Sequence, residues 1–138
     1  MYQKPDTELF ASMEITEAFL RDALEALKAE ILESLHCCMP GNILAYDPET
    51  GAAAVQPALR RKTASGEILT APELQAVPVL RPSEAHIPQP GDPCLLLFMD
   101  FCLDGWLESG QPVLPSSPRR HDWSDAIAIT GFFPASRR

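Results

Sequence analysis

Residues 42–59 read Asn42-Ile43-Leu44-Ala45-Tyr46-Asp47-Pro48-Glu49-Thr50-Gly51-Ala52-Ala53-Ala54-Val55-Gln56-Pro57-Ala58-Leu59. Two short apolar runs, Asn42–Tyr46 and Ala52–Leu59, flank the five residues Asp47 to Gly51. Within those five, proline fixes φ and glycine tolerates a positive φ, which is turn chemistry. Ile43 and Ala45, then Ala53, Val55 and Pro57, fall on alternating positions, the period of a hairpin with one buried face.

The same grammar continues downstream. A second hairpin-like excursion centres on Ala64-Ser65-Gly66-Glu67, and further strands are expected at Leu74–Leu80, Cys94–Met99 and Ala126–Gly131. Pro90-Gly91-Asp92 punctuates the entry to Cys94-Leu95-Leu96-Leu97-Phe98, whose unbroken apolar character predicts a central strand buried on both faces. Short runs bounded by turn residues read as a small barrel or sandwich. The chain has 14 prolines, most of them in this half, so stiff connections are expected.

Upstream of the breaker pair Pro40-Gly41 the pattern is helical. Proline and glycine are absent from Thr7 to Met39, Asp6 or Thr7 suits the N-cap, and Glu8 suits the positive helix end. Leu9, Phe10, Met13, Leu20, Leu24, Leu27, Ile31 and Leu35 recur at three and four, predicting a helix over Thr7–Leu35. Leu20, Leu24, Leu27 and Ile31 follow the four-three-four spacing of a coiled-coil seam, continued upstream by Leu9, Met13 and Thr16 after a four-four stutter. Phe10 and Phe19 lie off that seam. A parallel three-helix bundle with two symmetry mates is the expected use of this stripe; folding back on the chain's own barrel is the alternative. The expected organisation is a helix at 1–36, for trimerisation or docking, and a barrel domain at 37–138.

A chain of 138 residues suits one core, since roughly 68–70% of the unfolded surface is buried at this size. No apolar run approaches a membrane span, and the start lacks the form of a secretory leader, so synthesis in a cytoplasm and no direct membrane insertion are expected. The net charge of −8 disfavours a phosphate backbone as partner, and residues 1–36 hold eight carboxylates against three cations. Cys37, Cys38, Cys94 and Cys102 form no CxxC pair, and reduced, mostly packed thiols are expected.

Each candidate for chemistry has a structural competitor. Cys94 or Cys102 with His121 and Asp122 would make a thiol-imidazole-carboxylate set, yet no oxyanion loop or strained nucleophile turn accompanies them. His36, Cys37 and Cys38 are soft ligands, but their adjacency does not close a tetrahedral site within one chain. Arg60-Arg61-Lys62 lacks interleaved aromatics and reads better as a solvated hairpin tip or a salt-bridged protein contact than as a nucleic-acid site. No catalytic, cofactor or metal residue is therefore assigned. The polar segment 116–125 reads either as an inter-subunit network, in which arginines pair bidentately with aspartates, or as a loop closing the barrel. The residues singled out for a trimer interface are Leu20, Leu24, Leu27, Ile31, Arg119, Arg120, His121, Asp122 and Asp125.

One ordered set of segments adds a resemblance. Cys37-Cys38-Met39-Pro40-Gly41, Tyr46-Asp47-Pro48-Glu49-Thr50-Gly51, Val55-Gln56-Pro57-Ala58-Leu59, Val77-Pro78-Val79, Pro90-Gly91-Asp92, Asp104-Gly105-Trp106 and Arg120-His121-Asp122-Trp123-Ser124-Asp125-Ala126 occur in this order. Together they resemble the N-terminal OB domain of the membrane-puncturing central spike proteins of contractile-tailed phages, over about two-thirds of the chain. The resemblance implies a mainly β chain with one long N-terminal helix and a small OB-fold-like barrel. It also implies a homotrimer in the virion tail baseplate, assembled in the host cytoplasm and bound to a tail hub protein. In the family a β-helix ending in a metal-binding point usually follows the barrel; here the barrel region is followed by Phe132-Phe133-Pro134-Ala135-Ser136-Arg137-Arg138, so an adaptor carrying a separate spike tip protein is expected. A monomeric OB module for an oligonucleotide or oligosaccharide is the second reading, and a small thiol or metal enzyme the third.

Overall fold

The computed structural model describes residues 7–137, with side chains from residue 16 onward. The chain divides into two compact units, residues 1–35 and 36–138. The first is α1, Thr7–Ser34, ending close to the expected Leu35. Its expected N-cap and the upstream residues Leu9, Phe10 and Met13 lie outside the described side chains. No basic residue occupies the last turn, where Leu35 N–H still donates to Ile31 O at 2.9 Å. Leu20, Leu24, Leu27 and Ile31 are 50–57% exposed, and Phe19 is 74% exposed.

The second unit is built from β1 (Cys38–Asp47), β2 (Ala52–Pro57), β3 (Arg60–Lys62), β4 (Ile68–Thr70), β5 (Leu74–Leu80), β6 (Pro93–Phe98) and β7 (Ala126–Ile129), with a short helix α2 (Asp104–Ser109) between β6 and β7. Five strands close a barrel in the order β1-β2-β5-β7-β6, with β1 also pairing β6. All neighbours are antiparallel except β5 and β7. This is an OB-like barrel, as the resemblance implied. The strands β3 and β4 stand apart as a two-stranded arm between β2 and β5.

Local chemistry explains the closure. The Asp47 carboxylate accepts from Glu49 N–H at 2.9 Å and from the Thr50 hydroxyl at 3.1 Å, and Gly51 takes φ 72°, so the first hairpin turn forms as read. Strand β1 bends, giving Cys38–Asn42 to β6 and Gly41–Asp47 to β2. At the bend a Cβ on Gly41 would meet Val55 Cγ1 at 3.0 Å, Gln56 O at 3.1 Å and Leu96 Cδ1 at 3.1 Å. Glycine is needed there for close approach of three strands. Ile43, Val55, Leu74, Val77, Cys94, Leu96 and Phe98 fill the interior.

Three expectations are corrected. Pro40-Gly41 lies inside β1 rather than ahead of it, because Pro40 still uses its carbonyl, accepting from Ala58 N–H at 2.9 Å. Ala45 is exposed while Ile43 is buried, because a bulge between them shifts the register and reverses the face. The run Cys94–Phe98 is paired on both edges, yet Leu95 and Leu97 are only half-buried, since a closed barrel has one enclosed face. Of the four free thiols, Cys94 and Cys102 are buried and Cys37 and Cys38 are exposed.

Candidate functional site

The richest polar chemistry sits in the long connection from β6 to β7, residues 99–125. Its neck is closed by backbone: Met99 N–H donates to Asp125 O at 3.0 Å, and His121 N–H donates to Met99 O at 2.9 Å. A 3-10 turn, Trp123–Asp125, leads into β7, capped by Asp122, whose carboxylate accepts from the Ser124 N–H and hydroxyl. Those two bonds hold the Asp122 carboxyl below its ordinary value.

Asp125 is fully enclosed. Arg119 approaches it side-on, Nε donating to Oδ2 at 3.0 Å and Nη2 to Oδ1 at 2.9 Å, while Leu103 N–H donates to Oδ1 at 3.0 Å. Burial by itself pushes the Asp125 carboxyl up; the Arg119 and Leu103 hydrogen bonds and the arginine charge outweigh it and leave the group below its ordinary value. The same Nη2 reaches Asp104 Oδ2 at 3.2 Å and Cys102 Sγ at 3.0 Å. Hydrogen bonds to Asp125 and Asp104 raise the Arg119 pKa above its ordinary value. Cys102, Asp104 and Asp125 place ligand atoms within 4.8 Å of one another, a spacing that suits a metal ion, but the guanidinium bonds all three. A permanent cation built into the chain already answers their charge.

His121 adopts φ 48°, a left-handed backbone uncommon for a residue with a side chain. Its Nε2 lies 3.3 Å from Asp100 Oδ1, and its buried Nδ1 has no partner among the described residues. Arg120 points elsewhere, its guanidinium 4.9 Å from the centre of the Phe101 ring. His36 packs on Trp123 at 4.2 Å between ring centroids, and Trp123 meets Phe98 edge-on at 5.3 Å. Burial, then the charge of Arg61, holds the His36 pKa below its ordinary value. Beside this network an apolar groove of about 650 Å³ is lined by Leu97, Phe101, Leu103, Trp106 and Val113 among others.

The thiol-imidazole-carboxylate set does not assemble. Cys94 is in the core, its thiol pushed up to about 11 by burial against an opposing backbone hydrogen bond from Gly41. Cys102 bonds Arg119 and Ser116, whereas His121 faces Asp100 and Asp122 bonds Ser124. His36, taken as a soft ligand beside Cys37 and Cys38, is engaged by aromatic rings instead. The outer face of β2 and β5, where OB barrels hold oligomeric ligands, carries Ala52, Ala54 and Gln56 from β2 and Gln75, Ala76, Pro78 and Leu80 from β5.

Of the polar residues singled out from sequence, Arg119 and Asp125 are brought together within one chain, while Arg120, His121 and Asp122 each engage a different neighbour. Sequence reading missed Asp100 and Asp104 as members of this cluster, and it set Cys102 beside His121 and Asp122 rather than beside Arg119. Asp104-Gly105-Trp106 was a visible signal, a lone acidic residue opening a short helix, but nothing in its spacing linked it to Arg119.

Comparison with known families decides the lineage. The profile described as Phage protein Gp138 N-terminal domain matches residues 39–131. The chain belongs to that family. No curated protein matches it. The Gp138 N-terminal domain begins one residue into β1 and ends just beyond β7, so it coincides with the barrel and includes the whole Arg119 network. The match carries the resemblance as far as a phage protein.

Proposed function

We propose that this chain is a structural, non-enzymatic component of a contractile phage-type tail baseplate, acting as a homotrimeric central spike or as an adaptor between the tail hub and a tip protein. The observation that carries this reading is the coincidence of the closed barrel with a phage protein domain. Two features support it. The seam Leu20, Leu24, Leu27 and Ile31 is exposed in the single chain, as expected of a helix that needs symmetry mates. The long 99–125 connection is locked by a bidentate ion pair between a part-exposed arginine and an enclosed aspartate, which suits a rigid part that transmits force.

The mechanism is mechanical: tail contraction supplies the force, and a stiff trimer passes it along the axis. Alanine and glutamine on the β2–β5 face offer no stacking platform for bases, which weighs against the oligonucleotide reading. Light scattering on the size-separated full chain tests the reading, with a trimer at micromolar concentration expected. A monomer under those conditions contradicts it. A reconstruction of the assembled baseplate then tests whether the trimer lies on the tail axis.

A further inference from the structure

On the outside of the barrel, one stretch of sheet is as apolar as its inside. Leu95 and Leu97 alternate with the enclosed Cys94, Leu96 and Phe98 along β6, and Ile127 and Ile129 alternate with the enclosed Ala126 and Ala128 along β7. The four outward residues face one another in pairs, Leu95 across from Ile129 and Leu97 across from Ile127. Leu80 of β5, 58% exposed, extends the first of these rows, because it lies beside Ile129 in the parallel pair. None of the five belongs to the core cluster or to the partly buried side chains packed on it, and none carries a charge.

A barrel wall that faces water sets apolar residues inside and polar ones outside. Across β1 and β2 the outward pair Asn42 and Gln56 keeps that rule. β6 and β7 break it, and their outer residues are only half-covered by their own chain. Leu97 also lines the groove of about 650 Å³ shared with Phe101, Trp106 and Val113, so the apolar surface continues past the end of the sheet. Strand addition cannot cover it, because β6 and β7 are each paired on both edges. Whatever covers this surface lies flat against the sheet.

We propose that the outer face of β6 and β7 packs on a second copy of the chain, with Leu80, Leu95, Leu97, Ile127 and Ile129 at the dry centre of a barrel-to-barrel contact. The proposal rests on the homotrimer reading and adds the surface through which the barrels meet. Charge selects the occupant: copies of a chain of net charge −8 repel one another and meet most easily where neither presents a charge. Chain connection points the same way. Only Leu35, His36 and Cys37 separate α1 from Cys38, which stands opposite Leu97 on the exposed rim of the face. Four residue steps reach at most about 14 Å. Helices bundled about 8–10 Å apart through the Leu20, Leu24, Leu27 and Ile31 seam therefore keep the β1 edges of three barrels around one axis. Five side chains are too few to hold the copies by themselves, so the contact works together with the seam.

The test uses the full chain with one lysine placed at either of two outward positions. Leu80→Lys and Asn42→Lys change the net charge equally, and both parent side chains are exposed, so the core is left intact. Leu80→Lys should weaken self-association at least about tenfold in sedimentation at graded concentrations, because each copy would bury an unpaired ammonium group. Asn42→Lys should associate as wild type does. A Leu80→Lys trimer no weaker than that of Asn42→Lys overturns the contact and leaves the seam trimer standing; a face covered by a different protein gives this same result.

Photochemical cross-linking provides a second readout. With a benzophenone side chain in place of Leu80 or of Asn42, irradiation of the full chain should give a covalent dimer from position 80 and little from position 42. Equal yields from the two positions, or no dimer from position 80 in a protein that light scattering shows to be trimeric, overturn the contact. A monomeric wild type removes the homotrimer reading and the contact together.

Discussion

The Arg119 guanidinium and the Asp125 carboxylate meet edge to edge, Nε 3.0 Å from Oδ2 and Nη2 2.9 Å from Oδ1, with Asp125 wholly enclosed and Arg119 30% exposed. The pair joins the start of β7 to the far side of a loop that left the barrel at β6. Because Arg119 also bonds Asp104 and Cys102, one planar group holds three points of the 99–125 connection. A point charge on a flexible stem cannot reproduce that geometry.

Removing the base is expected to be the more damaging change, because it leaves the wholly enclosed Asp125 carboxylate with the Leu103 N–H alone. Asp125→Ala should lower the melt by less than Arg119→Ala, because the guanidinium it leaves is part-exposed and keeps Asp104. Arg119→Lys should melt between wild type and Arg119→Ala. Calorimetry on the three variants checks the order, and a melt of Arg119→Lys equal to wild type removes the bidentate argument.

Acid should weaken the fold in two stages. His36 has its folded pKa below the ordinary 6.5, so its contribution is complete above 6.5 and is lost as pH falls through the folded value. Asp122 and Asp125 have folded values below 3.8, so theirs is complete above 3.8 and is lost at lower pH. Replacing His36 by Phe should flatten only the first decline in a series of melts from pH 7 to 3. A first decline that persists in that variant assigns it to another group.

Thiol accessibility gives a direct reading of the barrel interior. Cys37 and Cys38 should react quickly with a disulfide reagent at pH 8, while Cys94, buried and pushed up to about 11, and Cys102, buried against Arg119, should react only on unfolding. Four equally fast thiols would contradict the packing of β6.

The core strand is testable by one substitution. Leu96 is fully buried, so Leu96→Asp places a carboxylate where nothing solvates it and should cost several kcal/mol against a total of about 5–15. Loss of the cooperative melt is the expected result.

The helix seam separates association from folding. Leu24→Glu with Ile31→Glu should abolish the trimer while the barrel melts near wild type, since both side chains are exposed in the single chain. In the same assay Arg120→Ala should loosen the trimer more than it lowers the melt, if Arg119–Asp125 borders a subunit contact. Light scattering and calorimetry on the same samples distinguish the two effects.

Much of this architecture could be read from local pattern. The Asp47–Gly51 turn, the alternation of Ala53, Val55 and Pro57, the strand Leu74–Leu80 and the four-three-four spacing of Leu20, Leu24, Leu27 and Ile31 in α1 are set by residues within a few positions of one another. Turn chemistry and side-chain period act over just that distance. What depended on distant segments was not readable. The bulge that turns Ala45 outward is a matter of register against β2, and the single enclosed face of β6 follows from barrel closure. The reach of Arg119 to Cys102, Asp104 and Asp125 exists only because β6 and β7 are paired, with Phe98 opposite Ala126. Spacing along a chain specifies which face a residue takes within its own element; which side chain it meets there is decided when the elements close on each other.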